Sequence, residues 1–339
     1  MRAVVITRHG GPEVLQVRTA PDPTPLAGEV RIRVRAAGLN FAEVMARQGL
    51  YPDAPKPPCV VGYEVAGVVD AVGPGVERPA VGARVFALVR FGGHADTICV
   101  KAAATWEIPD GVGFEEAAAL PVNYLTAWLM IFRTASVRRG ERVLVHMAAG
   151  GVGIAALQLL RTIPDTEVFG TASGSKHDAI RREGCTHPID YRTRDYAAEV
   201  RALTRGEGID VVLDPLGGRD WGKGYALLRA GGRIVAYGFA NASGGERRSW
   251  LRLVSQGIQI PRFSPLRMMG ENRGVAGFNL GHLWNRPEMI REAADALIAL
   301  WREGRIKPHV DSTFPLERAA DAHRRIQQRL NVGKVVLVP

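Results

Sequence analysis

Paired cysteines, long apolar runs and lysine are all scarce in this chain. The three cysteines, Cys59, Cys99 and Cys185, stand far apart and form no C-x-x-C pair. That excludes a cysteine-rich zinc site and argues against a disulfide framework; free thiols in a reducing compartment are expected. The most apolar stretch, Val143 to Leu160, is interrupted by His146, Gly150, Gly151 and Gln158. It reads as a strand, a tight turn and a buried helix, and no membrane span is expected. Met1 leads straight into a strand-like segment, Arg2 to Thr7, without a basic, apolar leader, so the expectation is a cytoplasmic protein. Lys56, Lys101, Lys176, Lys223, Lys307 and Lys334 are the only lysines among 44 basic residues, and arginine carries most of the net charge of +10. The arginines are scattered, with short doublets such as Arg138-Arg139 and Arg247-Arg248, and no basic stripe is interleaved with aromatics. A nucleic-acid partner is therefore not expected.

What remains is ordinary globular material. The chain has 339 residues, 46% hydrophobic and 23% charged, which suits two domains with two cores. The first stretch, to about residue 122, is predicted to be β-rich. Apolar runs at Val30 to Val34, Val65 to Val72, Arg84 to Leu88 and Thr97 to Val100 are separated by Gly and Pro turns, with one brief helix at Phe41 to Gln48. Strands and helices then alternate. Strands are expected at Arg142 to His146, Glu167 to Thr171, near His187 to Asp190, at Asp210 to Leu213, Gly232 to Tyr237 and Val275 to Phe278. Helices are expected at Asn123 to Phe132, Val152 to Thr162, Ser175 to Glu183, Asp195 to Thr204 and Lys223 to Leu228. This rhythm predicts an α/β fold with a doubly wound parallel sheet. Asn241 to Arg248 is expected to be a polar, mobile loop. Helix Arg291 to Arg302 and strand Lys334 to Val338 are expected to return to the first domain.

The strongest motif runs from Val143 through Met147-Ala148-Ala149-Gly150-Gly151-Val152-Gly153. An apolar strand ends in a small-residue turn and opens a helix, an A-x-G-x-x-G form of the dinucleotide fingerprint. Small residues let backbone approach a diphosphate, and the helix N-terminus offers free N–H groups to the anion. Ala149, Gly150, Gly151 and Val152 are the candidate contacts. The next strand selects the cofactor. Where an NAD site usually carries an acid, this chain has Ala172, followed by Ser173, Ser175 and Lys176. A carboxylate would repel a 2′-phosphate, whereas hydroxyls and an ammonium attract it, so NADPH is the expected cofactor. Ser173 also suits a helix cap.

Several segments carry a resemblance that spans nearly the whole chain: Gly38-Leu39-Asn40-Phe41-Ala42-Glu43, Leu125-Thr126-Ala127-Trp128, the glycine turn, Asp214-Pro215-Leu216-Gly217-Gly218 and Asn331-Val332-Gly333-Lys334. Together they resemble the zinc-free quinone oxidoreductase branch of the medium-chain dehydrogenase/reductases. His187-Pro188-Ile189-Asp190-Tyr191 and Ile306-Lys307-Pro308-His309 look like the vesicle amine transport protein 1 homologues within that branch. The resemblance implies a GroES-like β-rich substrate domain (1–122 and 284–339), a Rossmann NADPH-binding domain (123–283), and an active site in the cleft between them. It implies that Lys176 and Tyr191 hold the 2′-phosphate and that Asn40, Thr126, Phe278 and Leu280 line the nicotinamide side. Leu216 and Asn331 would also reach the cofactor. On the residues alone, Asn40 also fits a turn and Tyr191 a strand end.

Zinc relatives carry Cys where Asn40 stands and His where Tyr63 precedes Glu64, so no metal is expected. The resemblance then implies hydride transfer to a quinone, with Tyr51, Tyr63, Tyr124 or a water donating to the developing oxygen anion. One alternative is an enoyl or alkene reductase acting on α,β-unsaturated carbonyls or thioesters. Another is a non-catalytic scaffold that binds NADPH. Relatives pair their last Rossmann strands, here Val275 to Phe278, which makes a homodimer the expected assembly.

Overall fold

The computed structural model describes residues 1–339. The first strands in chain order are β1 (Arg2–Ile6), β2 (Leu15–Thr19), β3 (Glu29–Leu39), β4 (Cys59–Val60), β5 (Glu64–Val72), β6 (Arg84–Leu88), β7 (Thr97–Lys101) and β8 (Thr105–Glu107). Then come β9 (Arg142–Val145), β10 (Glu167–Ala172), β11 (His187–Asp190), β12 (Ile209–Asp214), β13 (Leu228–Ala236) and β14 (Gly274–Gly277). The last two are β15 (Val310–Pro315) and β16 (Lys334–Val338). The helices are α1 (Phe41–Gln48), α2 (Phe114–Ala118), α3 (Pro121–Trp128), α4 (Gly151–Leu160), α5 (His177–Arg182) and α6 (Tyr196–Leu203). They continue with α7 (Arg219–Leu227), α8 (Trp250–Ile258), α9 (Pro265–Glu271), α10 (Pro287–Arg302) and α11 (Ala319–Gln327).

The chain forms two units. The first comprises Met1–Asn123, Gly245–Arg248 and Pro308–Pro339. Its larger sheet has seven strands, in the order β15-β16-β3-β5-β6-β8 with β7 also paired to β3. From Glu29 to Val34, β3 alternates half-buried and buried residues, as a strand with one face on a core must, and it is buried at every position from Ala36 to Leu39. That face meets β5, β6 and β16 in a core built on Ile32, Val34, Val65, Val69, Val85 and Leu337. A smaller sheet, β2-β1-β4, lies antiparallel throughout. α1 begins at Asn40, whose backbone N–H donates to the Glu43 carboxylate at 2.9 Å, and ends at Gly49 in the left-handed region.

The second unit comprises Tyr124–Gly244 and Ser249–Lys307. Its six strands run parallel in the order β11-β10-β9-β12-β13-β14. β12 is buried at every position, as expected of a strand covered on both faces. The unit extends to Lys307, beyond the 283 expected from sequence. The reason is α10, which buries Ile290, Leu297 and Trp301 and belongs with the Rossmann elements.

Three other sequence expectations change. α3 continues as a wide π turn over Leu129–Thr134. α8 and α9 fill a stretch in which no element was expected. Asn241 to Arg248 is not a free loop. Asn241 Nδ2 donates to Asp220 at 2.8 Å, the Gly245 carbonyl accepts from Gln48 and Gln327 at 2.7 Å each, and the Glu246 carbonyl accepts from the buried Arg47.

Candidate active site

The turn after β9 is shaped by backbone geometry. Met147 takes a left-handed φ of 52°, Ala148 N–H donates to Thr171 O at 3.0 Å, and Gly150 N–H closes back on Met147 O at 2.8 Å. A Cβ on Gly153 would lie 2.4 Å from Met147 O, so only glycine lets α4 pack this tightly on the turn. No side chain caps α4 and no acid stands in its first turn. The N–H groups of Gly151, Val152 and Gly153 therefore face outward with the positive helix end behind them. That cradle fits a diphosphate.

Beside it, β10 and β11 run parallel, with Ala172 opposite Asp190. Ser173, just past β10, and Tyr191, just past β11, thus share the carboxyl edge of the sheet, and Lys176 follows three residues after Ser173. The Ser173 and Ser175 hydroxyls lie 3.5 Å apart, and Lys176 N–H donates to Ser173 O at 2.9 Å. Asp190, the nearest acid, already accepts from the Arg192 backbone N–H at 3.0 Å. On the other side of the glycine turn, Leu216 follows β12, and its N–H donates to Asp214 Oδ1 at 2.5 Å. Phe278 and Leu280 follow β14 on the same edge, with Phe278 N–H held by Ala236 O at 2.9 Å. Parallel neighbours are about 4.8 Å apart, so β10 to β14 spans roughly 19 Å, the reach of an extended dinucleotide. Thr126 is buried on α3.

In the first unit, Asn40 joins a buried charge cluster that sequence reading did not assemble. Its Oδ1 accepts from Lys334 Nζ at 2.6 Å, and its Nδ2 donates to Glu64 at 3.0 Å and Glu43 at 3.2 Å. Lys334 is also ion-paired with Glu64, whose other oxygen accepts from Val122 N–H at 2.7 Å. Both ends of the Asn40 amide are thus occupied internally. Burial lifts the Glu43 carboxyl to about 7 against the opposing pull of Lys334. Burial also lowers the nearby His94, which contacts Gly38 O at 3.2 Å, to about 4.

The candidate donors separate clearly. Tyr124 donates its hydroxyl to Gln158 at 2.8 Å deep in the second unit, and Gln158 in turn holds the Lys307 carbonyl at 2.9 Å. Its proton is committed to that structural bond. Tyr63 is buried, its hydroxyl has no hydrogen-bond partner, and burial pushes its phenol well above the ordinary range. Tyr51 is half-buried, its ring edge-on to Tyr63 with centroids 6.3 Å apart. Asn331, in the first unit, donates its side chain to Gly333 O at 2.8 Å.

Residues 26–128 match the alcohol dehydrogenase GroES-like domain and residues 183–337 the zinc-binding dehydrogenase domain. The human synaptic vesicle membrane protein VAT-1 homolog is 47% identical over 341 residues, covering 100% of this chain and 86% of that protein. The chain belongs to the medium-chain dehydrogenase/reductase family of oxidoreductases. Among solved structures, the quinone oxidoreductase of Escherichia coli complexed with NADPH superposes with a TM-score of 0.88 at 27% identity over 100% of both chains. The CurK enoyl reductase superposes with a TM-score of 0.86 at 31% identity, covering 99% of this chain and 98% of that one. The zinc in the matched domain's description finds no ligand set in this chain. Asn40 faces an ammonium, and no three His, Cys, Asp or Glu side chains come together to hold a metal.

Proposed function

We propose that this chain is an NADPH-dependent, zinc-independent reductase that transfers hydride to quinones. The observation that carries the reading is the end of β10, where Ala172 stands in place of a carboxylate and Ser173, Ser175 and Lys176 follow, next to the uncapped α4 that opens after the neighbouring β9. A quinone oxidoreductase among the solved relatives, that of Escherichia coli, carries NADPH. Backbone N–H groups of Gly151 to Gly153 bind the diphosphate, and Ala149 and Gly150 let it approach. Ser173, Lys176 and Tyr191 hold the 2′-phosphate, while Leu216, Thr126, Phe278 and Leu280 shape the path toward the nicotinamide. Bound NADPH supplies the hydride. Without a metal to polarise a carbonyl, the substrate must spread the incoming charge by its own conjugation, as quinones do. Tyr51 donates the proton to the developing oxygen anion. Asn40 keeps the wall of that site in place through Lys334, Glu43 and Glu64.

A second reading, reduction of α,β-unsaturated thioesters, draws support from the likeness to the CurK enoyl reductase. Steady-state rates with NADPH and NADH against a panel of simple quinones and one enoyl thioester test both. Quinone turnover with a clear NADPH preference is expected. Thioester turnover alone would move the assignment to the second reading, and equal use of the two dinucleotides would remove the 2′-phosphate pocket from it.

The same reading takes a second copy of the chain as partner. β14 is the last strand of its sheet, with one edge unpaired. Trp250, Leu251, Val254 and Ile258 on α8 and Leu266 and Met269 on α9 are exposed just before it in the chain.

A further inference from the structure

Two buried groups at the carboxyl edge of the parallel sheet have no part in the proposed chemistry. Val145 of β9 pairs with Leu213 of β12, so His146 and Asp214 are the next residues along two neighbouring parallel strands. Both are fully buried, and each holds one polar atom without a hydrogen-bond partner: Nε2 of His146 and Oδ2 of Asp214. One is a ring nitrogen and the other a carboxylate oxygen, so the pair is complementary.

Their remaining atoms reach both cofactor turns. His146 Nδ1 lies 3.1 Å from the Thr171 hydroxyl. That hydroxyl accepts from Met147 N–H at 3.2 Å, so its own proton is free to go to the imidazole. In the tautomer that accepts this proton at Nδ1, the ring carries its own on Nε2, facing the unpartnered Asp214 oxygen. Met147 is the left-handed residue that starts the phosphate turn. Asp214 Oδ1 accepts from Leu216 N–H at 2.5 Å and from Gly217 N–H at 3.2 Å, which folds the turn after β12. The Tyr196 ring closes the pocket edge-on to His146 at 4.6 Å, and its hydroxyl donates to Asp220 at 2.9 Å.

We propose that His146 and Asp214 are a positioning pair: through Thr171 on one side and the Leu216-Gly217 amides on the other, they set the two turns that receive the dinucleotide. Neither side chain touches it. Burial keeps the imidazole neutral, pushing its protonation below the usual histidine range, which suits a ring that accepts from Thr171. The inference rests on the reading that NADPH binds this edge.

The test compares wild type with Thr171→Val, Thr171→Ser, His146→Asn and Asp214→Asn. NADPH affinity is read by fluorescence titration, kcat and KM with a quinone, and amide hydrogen exchange across residues 147–153 in the cofactor-free protein. Loss of one buried hydrogen bond should weaken NADPH binding about tenfold in the Val, His146→Asn and Asp214→Asn variants. The loss should appear in the KM for NADPH, with kcat and quinone KM little changed, and Thr171→Ser should restore wild-type affinity. Exchange across 147–153 should speed up in His146→Asn. Variants that melt like wild type, bind NADPH equally well and exchange at the wild-type rate overturn the pairing. Wild type that fails to bind NADPH overturns the cofactor reading instead, and the exchange rates then decide whether the pair shapes the turn. A variant too unstable to purify leaves the decision to the Thr171 Val and Ser pair.

Discussion

In the proposed 2′-phosphate pocket Lys176 supplies the full charge beside hydroxyls, so it is the residue at which the proposed dinucleotide choice is tested. A charge-assisted hydrogen bond is worth about 1.5–3 kcal/mol. Lys176→Ala should therefore raise the KM for NADPH roughly tenfold to a hundredfold while leaving that for NADH nearly unchanged, as initial rates with each dinucleotide will show. The tyrosines divide in the same way. Tyr51→Phe should lower kcat by about a hundredfold or more with the fold intact, the usual range for losing a general acid. Tyr124→Phe should leave kcat alone and lower stability by about 1 kcal/mol, because it deletes the buried bond to Gln158. Glu43 has a pH signature. Burial lifts its carboxyl from the ordinary 4.5 to about 7 in the folded chain. The unfolded chain thus loses this proton first, and the stability it confers, present at low pH, fades as pH rises through the interval between those values. The effect is on the order of 3 kcal/mol. Urea denaturation at pH 5 and pH 8 should show Glu43→Gln relatively more stable than wild type at the higher pH, with a smaller difference at the lower.

At the scale of elements, the parallel sheet was legible because its strands are buried on both faces and read as short apolar runs between helical stretches. β9, β10 and β12 fall where the pattern put them, while β13 starts at Leu228, four residues before the expected Gly232; the glycine turn also falls in place, its small residues following from a close approach visible in sequence. The cluster around Asn40 was not legible. Glu43, Glu64, His94 and Lys334 come from distant parts of the chain and meet only through the pairing of β3 with β5 and β16. His146 and Asp214 escaped for the same reason. The loop near 245 misled because polarity was taken for mobility. Its partner is a cation hidden in α1: Arg47 is fully buried and donates to Gly10 O at 2.6 Å, Glu246 O at 3.2 Å and Gln327 Oε1 at 2.6 Å. Burial draws its guanidinium down to about 10. Arg47→Met removes those three bonds, leaving Glu246 O only the longer one from Gln48 at 3.3 Å, and should cost roughly 2–4 kcal/mol. It should also expose Gly245–Arg248 to proteolysis, so mass spectrometry of a brief digest should find a new cleavage there.

For the whole molecule, exposed apolar surface is concentrated in one place. Of the twelve large hydrophobic side chains exposed on the chain, seven lie between Trp250 and Met269, and Leu251, Ile258 and Leu266 are each more than three-quarters exposed. Scattered exposed leucines need no account, but so dense a group on α8 and α9, together with the unpaired edge of β14 that follows them in the chain, is unfavourable unless something covers it. No helix is long and apolar enough to cross a membrane. A second copy meets both needs at once, since twofold pairing would satisfy β14 backbone groups while α8 and α9 lose their solvent. Light scattering behind size exclusion should return twice the monomer mass. Leu251→Glu with Ile258→Glu should shift it to the monomer. A wild-type protein that stays monomeric at micromolar concentration would remove the second copy as partner and leave α8 and α9 with another one.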